Sequence, residues 1–210
     1  MDAKTNGAAN GAQIRRPSGA RNRTRMLAGA AMLTAVSFVL HFLEFPIPLA
    51  PAHMKMDLSD MPALIGAFAY GPAWGAAIEL VKNLLYLLRT TTGGVGELAN
   101  FLMGSALVVP AGIIYKRNKT RKTAVRACVI GSVCKGIVAV FANYWIMLPL
   151  YESFMPLERI ISMYASALPF IETKLDVVLY SVLPFNVLKG ALSSFVTMLI
   201  YKRLSPVLKG

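Results

Sequence analysis

Acidic side chains are scarce in this chain: its 210 residues hold 10 Asp and Glu against 22 Lys and Arg, a formal net charge of +12. Charge of either sign is thin, at 15% of residues where a water-soluble domain carries about 25%. With 56% hydrophobic residues and a mean hydropathy of +0.55, this excludes an ordinary soluble domain and points to an integral membrane protein. Cysteine is nearly absent. Cys128 and Cys134 are the two present, which excludes a disulfide framework, and their i, i+6 spacing on one expected helix turns them to different faces, which argues against a metal pair. No Cys, Asp or His set has ligand spacing, and His41 and His53 stand apart, so no metal site is expected. The chain has no G-x-x-x-x-G-K-[ST], no H-E-x-x-H and no G-x-S-x-G, so it carries no P-loop ATPase, zincin or serine-hydrolase motif. Gly93-Gly94-Val95-Gly96 lacks a preceding strand and reads as a loop, not a nucleotide fingerprint. Internal repeats, a mark of many secondary carriers, are missing too.

The excess positive charge is clustered. Lys4, Arg15, Arg16, Arg21, Arg23 and Arg25 lie near the N-terminus; Lys116, Arg117, Lys119, Arg121, Lys122 and Arg126 surround one turn; Lys202, Arg203 and Lys209 end the chain. Nucleic-acid binding would call for a continuous basic face; clusters at alternate helix ends follow the positive-inside rule instead. Residues 1–25 read as a disordered basic tail, 26–203 as the membrane domain and 204–210 as a short tail. Helices are expected at about Met26–Leu43, Ser59–Tyr70, Pro72–Leu88, Glu97–Tyr115, Ala124–Leu148 and Lys174–Tyr201. Pro46, Pro48 and Pro51 keep the first loop out of helix, Gly71-Pro72 breaks the second helix from the third, Pro149 ends the fifth, and Leu150–Thr173 reads as a mixed loop. The fold class is therefore all-α: a bundle of six transmembrane helices with both termini cytoplasmic, an arrangement that puts all three basic clusters on one side. The second helix is short of the ~20 residues a span needs and must draw on the preceding loop.

Polar residues inside such helices need a reason, because a charge at membrane depth costs at least ~2.5–3.5 kcal/mol. Asn186 and Lys189 share a face at i, i+3 just past Pro184, where a kink is expected. On the six-span arrangement Asn143, Glu97, Asn100, Asn83 and Tyr86 fall in the outer half of their helices, and Asn186 and Lys189 approach the midplane. A small-molecule pocket open to the outside is the expected form. Asp57, with Ser59 and Asp60, reads as helix-capping sequence, and Asp57 also joins the candidate ligand contacts. Glu97 and Asn100 read equally as caps, and Trp145 as part of an interfacial aromatic belt. Glu79, Lys82 and Lys135 lie deeper and read as structural charges, Glu79 pairing with Lys82 along its helix or with Lys135 across helices. If Lys189 is kept only to hold a ligand, removing it leaves the ligand-free protein as stable or more so.

Ala31-Met32-Leu33-Thr34-Ala35, Lys55-Met56-Asp57-Leu58-Ser59-Asp60-Met61-Pro62, Glu79-Leu80-Val81-Lys82-Asn83, Gly96-Glu97-Leu98-Ala99-Asn100, Ala142-Asn143-Tyr144 and Pro184-Phe185-Asn186-Val187-Leu188-Lys189-Gly190 together resemble the S components of energy-coupling factor (ECF) vitamin transporters, nearest the riboflavin-specific branch. The resemblance runs from residue 26 onward. It implies a six-helix vitamin-binding subunit that takes substrate from outside beneath its first loop and works with a transmembrane coupling protein and two cytoplasmic ATPases. It further implies that Asn143, Asn186 and Lys189 contact riboflavin, that Ala31 and Ala35 contact the coupling protein, and that the chain is no enzyme and has riboflavin as transported ligand, not as cofactor. Three other readings compete: an S component for thiamine, folate, biotin or pantothenate; a self-sufficient carrier; and an intramembrane enzyme using Glu97 or Lys189 as base or nucleophile.

Overall fold

A computed structural model describes residues 18–47, 51 and 54–209. The expected disordered tail lies, over residues 1–17, outside the described residues, as do Pro48 of the first loop and His53. Helix α1 (Ser18–Phe42) begins eight residues before the expected Met26, so the Arg-rich stretch at 21–25 continues the apolar helix as its first turns. Arginine is a good helix former, and nothing in the stretch breaks the backbone pattern.

After α1 the chain turns back as a two-stranded antiparallel ribbon, β1 (Phe45–Pro46) and β2 (Lys55–Met56), in the register Phe45–Met56 and Pro46–Lys55. The prolines that forbid helix here allow an edge pairing. Helices α2 (Asp60–Tyr70) and α3 (Pro72–Tyr86) follow, divided at Gly71, whose φ of 107° is open to glycine and strained for other residues. Pro72 starts α3, where its missing N–H costs nothing. A 3-10 turn (Leu87–Arg89) leads to the loop before α4 (Val95–Arg117).

One proline departs from its expected role. Pro149 does not end the fifth helix. After α5 (Arg121–Ala142) comes a π-turn, Asn143–Met147, in which the Leu148 N–H donates to the Asn143 carbonyl, and α6 (Leu148–Glu152) carries the helix on through the proline. The wider i→i+5 turn takes up the donor that Pro149 lacks. Pro184 is handled the same way: α8 (Lys174–Asp176) passes through a π-turn at Val177–Val182, with the Leu183 N–H donating to the Val178 carbonyl, into α9 (Leu183–Lys209). Thr173 and Asp176 form a reciprocal capping box at its start.

The segment expected as a mixed loop contains a further helix, α7 (Leu157–Ala165), which buries Ile160 and Tyr164 at i, i+4. Nine residues are too few for periodicity to announce a helix, yet enough to present one apolar stripe. Joined through their π-turns, the segments make seven helical bodies among the described residues. Four of them are long and apolar enough to cross a membrane: Arg23–Phe42, Val95–Arg117, Arg121–Glu152 and Lys174–Tyr201. The chain is an all-helical, multi-pass membrane protein.

The core has two apolar clusters. One, at the end carrying the 118–120 turn, gathers Phe68, Leu107, Tyr115 and Tyr201, whose phenols lie 3.0 Å apart. The other gathers Met103, Leu148, Ile160, Tyr164, Ile171 and Val178 beneath α7. Exposed Leu, Val, Ile and Phe side chains cover the outer faces of α1, α5 and α9, as lipid contact requires.

Candidate functional site

Between the two clusters runs a layer of buried charge. Asp57 and Asp60 flank Ser59 where β2 turns into α2; Glu79 and Lys82 come from α3, Lys135 from α5 and Lys189 from α9. Lys189 Nζ donates to Asp57 Oδ2 at 2.7 Å and reaches Asn100 Oδ1 at 3.5 Å. Lys82 Nζ lies 3.1 Å from Asp60 Oδ1 and 2.7 Å from Glu79 Oε2, and donates to Ser59 Oγ at 3.0 Å. Lys135 donates to the other Asp60 oxygen, and Ser37 of α1 to the Ser59 carbonyl. Three carboxylates thus meet three ammonium groups, all buried, with formal charges that cancel.

The Glu79–Lys82 pair is one of the two expected; Lys135 goes to Asp60, not to Glu79. Asp57 keeps a cap-like bond, its Oδ1 accepting the Ser59 N–H at 2.8 Å two residues on, while Ser59 makes no side-chain cap on α2 and both oxygens of Asp60 go to lysines. With the start of α2 buried among three lysines, the carboxylates are taken by the stronger charge-assisted partners. Gly104 of α4 leaves room for this layer, since a Cβ there would run into the Glu79 carboxylate.

Directly against the layer lies a cavity of 470 Å³, within the ~300–1,000 Å³ typical of small-molecule sites. Its walls come from the end of α1, the β ribbon, the 89–96 loop, the start of α4, the π-turn after α5 and the start of α9. Asp57, Tyr86, Glu97, Asn100, Asn143 and Asn186 line it. Two of the expected residues do not reach it. Lys189 sits behind Asp57 and Asn100, gripping both. Asn83 turns inward, donating to the Glu79 carbonyl at 2.8 Å and leaving its own amide oxygen buried and unpartnered.

Asn143 and Asn186 are presented alike. Each amide nitrogen donates to the backbone carbonyl four residues back, Ala139 at 2.8 Å and Val182 at 2.9 Å. The amide oxygen of each makes no hydrogen bond among the described residues, so both offer a fixed acceptor. Asn143 opens one π-turn and Asn186 follows the other by four residues, so the prolines that impose those turns also set the register of the two amides.

Glu97 lines the cavity and is paired with hydroxyls, not with the backbone of its own helix. It lies in the first turn of α4, and its Oε2 accepts from Thr90 Oγ1 at 2.9 Å and Thr92 Oγ1 at 3.3 Å. Those hydroxyls in turn accept the Gly94 and Gly96 N–H groups, each at 3.0 Å, which ties the 89–96 loop over the cavity.

Sequence reasoning missed several lining residues. Phe185 sits inside the Pro184–Gly190 run, beside Asn186; Met103 lies one helical turn past Asn100; Tyr164 belongs to the unforeseen α7. His41 is the plainest omission: a lone histidine near a helix end, which the structure buries and stacks on Tyr86 at 3.8 Å between ring centres and 16° between planes. A second cavity of 320 Å³ shares Thr91, Thr92, Tyr151 and Tyr164 with the first and extends it toward Phe154 and Met163. Among groups outside the spans, the Glu44 carboxylate beside Lys55 raises that ammonium above its ordinary value, and burial pushes the Tyr164 phenol up.

The chain matches the family model described as ECF transporter, substrate-specific component, over residues 25–201. It is 36% identical over 188 residues to the riboflavin transporter RibU of Staphylococcus aureus (strain TCH60), covering 89% of this chain and 94% of that protein. It is 33% identical over 187 residues to the riboflavin transporter FmnP of Bacillus subtilis (strain 168), covering 88% and 94%. A solved S component of a bacterial ECF transporter superposes with a TM-score of 0.72 at 34% identity, covering 90% of this chain and 99% of that one.

Proposed function

The chain belongs to the substrate-specific components of ECF transporters, and from that premise we propose that it binds riboflavin in the 470 Å³ cavity and hands it to an ECF module for import. It is a membrane-embedded transport subunit, not an enzyme. The observation that carries the substrate reading is the meeting of Asn100, Asn143 and Asn186, from three separate helical bodies, on one cavity with Phe185, Met103 and Tyr164. A flavin is a flat apolar ring system with a polar edge and a polyol chain. A fixed amide oxygen suits the one N–H of that edge, the second hydrogen of each amide nitrogen suits the carbonyls flanking it, and aromatic and thioether walls suit the ring faces. The RibU and FmnP relatives, named riboflavin transporters, support the same ligand.

In this reading the bundle crosses six times with both termini cytoplasmic. The basic turn around residues 118–120 supports that side. The module comprises a transmembrane coupling protein and two ATPases. Ala31 and Ala35 lie exposed on the outer face of α1 between Met32, Val36 and Val39, a strip narrow enough for another helix to approach.

Two experiments test these assignments. Riboflavin fluorescence should be quenched saturably by micromolar purified protein without nucleotide. Asn186→Leu should weaken binding by about three- to tenfold, the worth of one net hydrogen bond. Absent quenching, together with binding of another vitamin, would reject the substrate while leaving the family intact. For the partner face, Ala31→Trp and Ala35→Trp should keep wild-type riboflavin affinity but lose at least tenfold in ATP-driven uptake; normal uptake in both would move the contact elsewhere.

A further inference from the structure

We infer that the outer face of α5 holds an anionic phospholipid, its phosphate gripped by Lys122 and Arg126 and its chains laid along the apolar strip that continues from them. Arg126 lies beyond the first turn of α5 and is exposed, as are Val125, Val129 and Ile130 around it. Lys122 stands one turn before it, and Val133, Ile137 and Phe141 carry the exposed strip onward. These side chains recur at every third or fourth residue and so share one helix face. From Arg126 to Ile137 the strip runs ~16 Å at ~1.5 Å per residue, about half of the ~30 Å hydrocarbon thickness and so the depth of one leaflet. Charge at one end and a leaflet's depth of hydrocarbon beyond it is the order of parts in a phospholipid. The other faces of α5 are closed by protein: a Cβ at Gly131 would strike the Leu107 carbonyl of α4, and one at Gly136 the Val187 side chain of α9.

Charge selects which lipid. Lys116, Arg117, Arg121, Lys122 and Arg126 are exposed and make no ion pair among the described residues. Every described Asp and Glu lies in the buried layer, around the cavity or between α6 and α8, away from this end. Helix stability does not explain Arg121 and Lys122, which occupy the first turn of α5, where the dipole favours acids and none is present. Orientation in the membrane calls for cations at this end, but not for one set among exposed valines and isoleucine on the strip itself. An arginine placed there reaches a phosphate with paired N–H donors while its stem lies along hydrocarbon. A free phosphate would satisfy the cations and leave the strip bare; an anionic lipid covers both.

The test titrates the full chain in neutral detergent with dioleoyl phosphatidylglycerol and with dioleoyl phosphatidylcholine, reading each Kd by native mass spectrometry. Wild type should bind phosphatidylglycerol about tenfold or more tighter, since each Lys or Arg beside an anionic headgroup is worth about fivefold. Lys122→Gln combined with Arg126→Gln should bring the two lipids to within about threefold. Arg23→Gln combined with Arg25→Gln removes the same charge from exposed positions on α1 at the same end and should keep most of the preference. Arg126→Lys keeps the charge but loses the planar fork; it should weaken phosphatidylglycerol about two- to fivefold and serves as the probe if the first double variant does not fold. Equal affinity of wild type for both lipids would overturn the inference. Equal losses in the two double variants would overturn it too, by showing a diffuse field in place of a site. Millimolar inorganic phosphate, at fixed ionic strength, should leave the phosphatidylglycerol Kd unchanged; displacement would reassign the cations to a free anion. A lipid preference that survives loss of Lys122 and Arg126 while ATP-driven uptake falls would reassign this face to a protein partner, and either reassignment overturns the lipid site.

Discussion

Asp60→Asn protein should unfold on the order of 10 °C below wild type in the same detergent, a loss of roughly 3–5 kcal/mol. Asp60 holds Lys82 with one oxygen and Lys135 with the other. When its charge is removed Lys82 keeps Glu79, but Lys135 keeps no ion pair with a carboxylate among the described residues. A buried ammonium without a counter-charge either loses its proton or opens the core to water, and both cost free energy. The asparagine preserves volume, which separates charge from packing. Lys135→Met on the same background removes the stranded charge and should restore most of the loss. An Asp60→Asn melting temperature within 2 °C of wild type would remove the cluster from the determinants of stability.

Lys189→Met should also destabilise the ligand-free protein by about 3–5 kcal/mol. On sequence alone the sign is the opposite, because Lys189 reads as an uncompensated charge whose removal helps. The Asp57 contact at 2.7 Å reverses it: methionine strands a carboxylate that is 2% exposed. Riboflavin binding should weaken in the same variant, since Lys189 fixes both Asp57 and Asn100, which line the cavity. Asp57→Asn combined with Lys189→Met should regain most of the stability but not the affinity. That split distinguishes a positioning lysine from a purely structural one. If the double variant is no more stable than the single, the two residues are not energetically coupled.

What could be read from the sequence follows from the range of the signals. The long apolar helices, the break at Gly71-Pro72, the non-helical proline loop and the polar run after Pro184 are local, and each is visible in a short window. Of the six candidate ligand residues that line the cavity, five lie on helical segments, where depth can be counted; Asp57 lies ahead of α2. Partner choice is not local. Asp60 pairs with a lysine 75 residues away, and no pattern around Asp57-Leu58-Ser59-Asp60 distinguishes a helix cap from half of a buried cluster. The π-turns escaped for a related reason: proline signals a missing donor, but whether the helix stops or widens depends on what packs around it.

The cancellation of charge inside the bundle has an electrical consequence. Moving one elementary charge through a transmembrane potential involves about 2.3 kcal/mol per 100 mV. Three unpaired lysines at this depth would make any tilt or displacement of the bundle a voltage-dependent event. Bound to Asp57, Asp60 and Glu79, they move with equal and opposite charge, and the electrical work nearly vanishes. A subunit built this way can reorient in an energised membrane without the resting potential favouring one orientation, leaving direction to be set by its partners and its ligand.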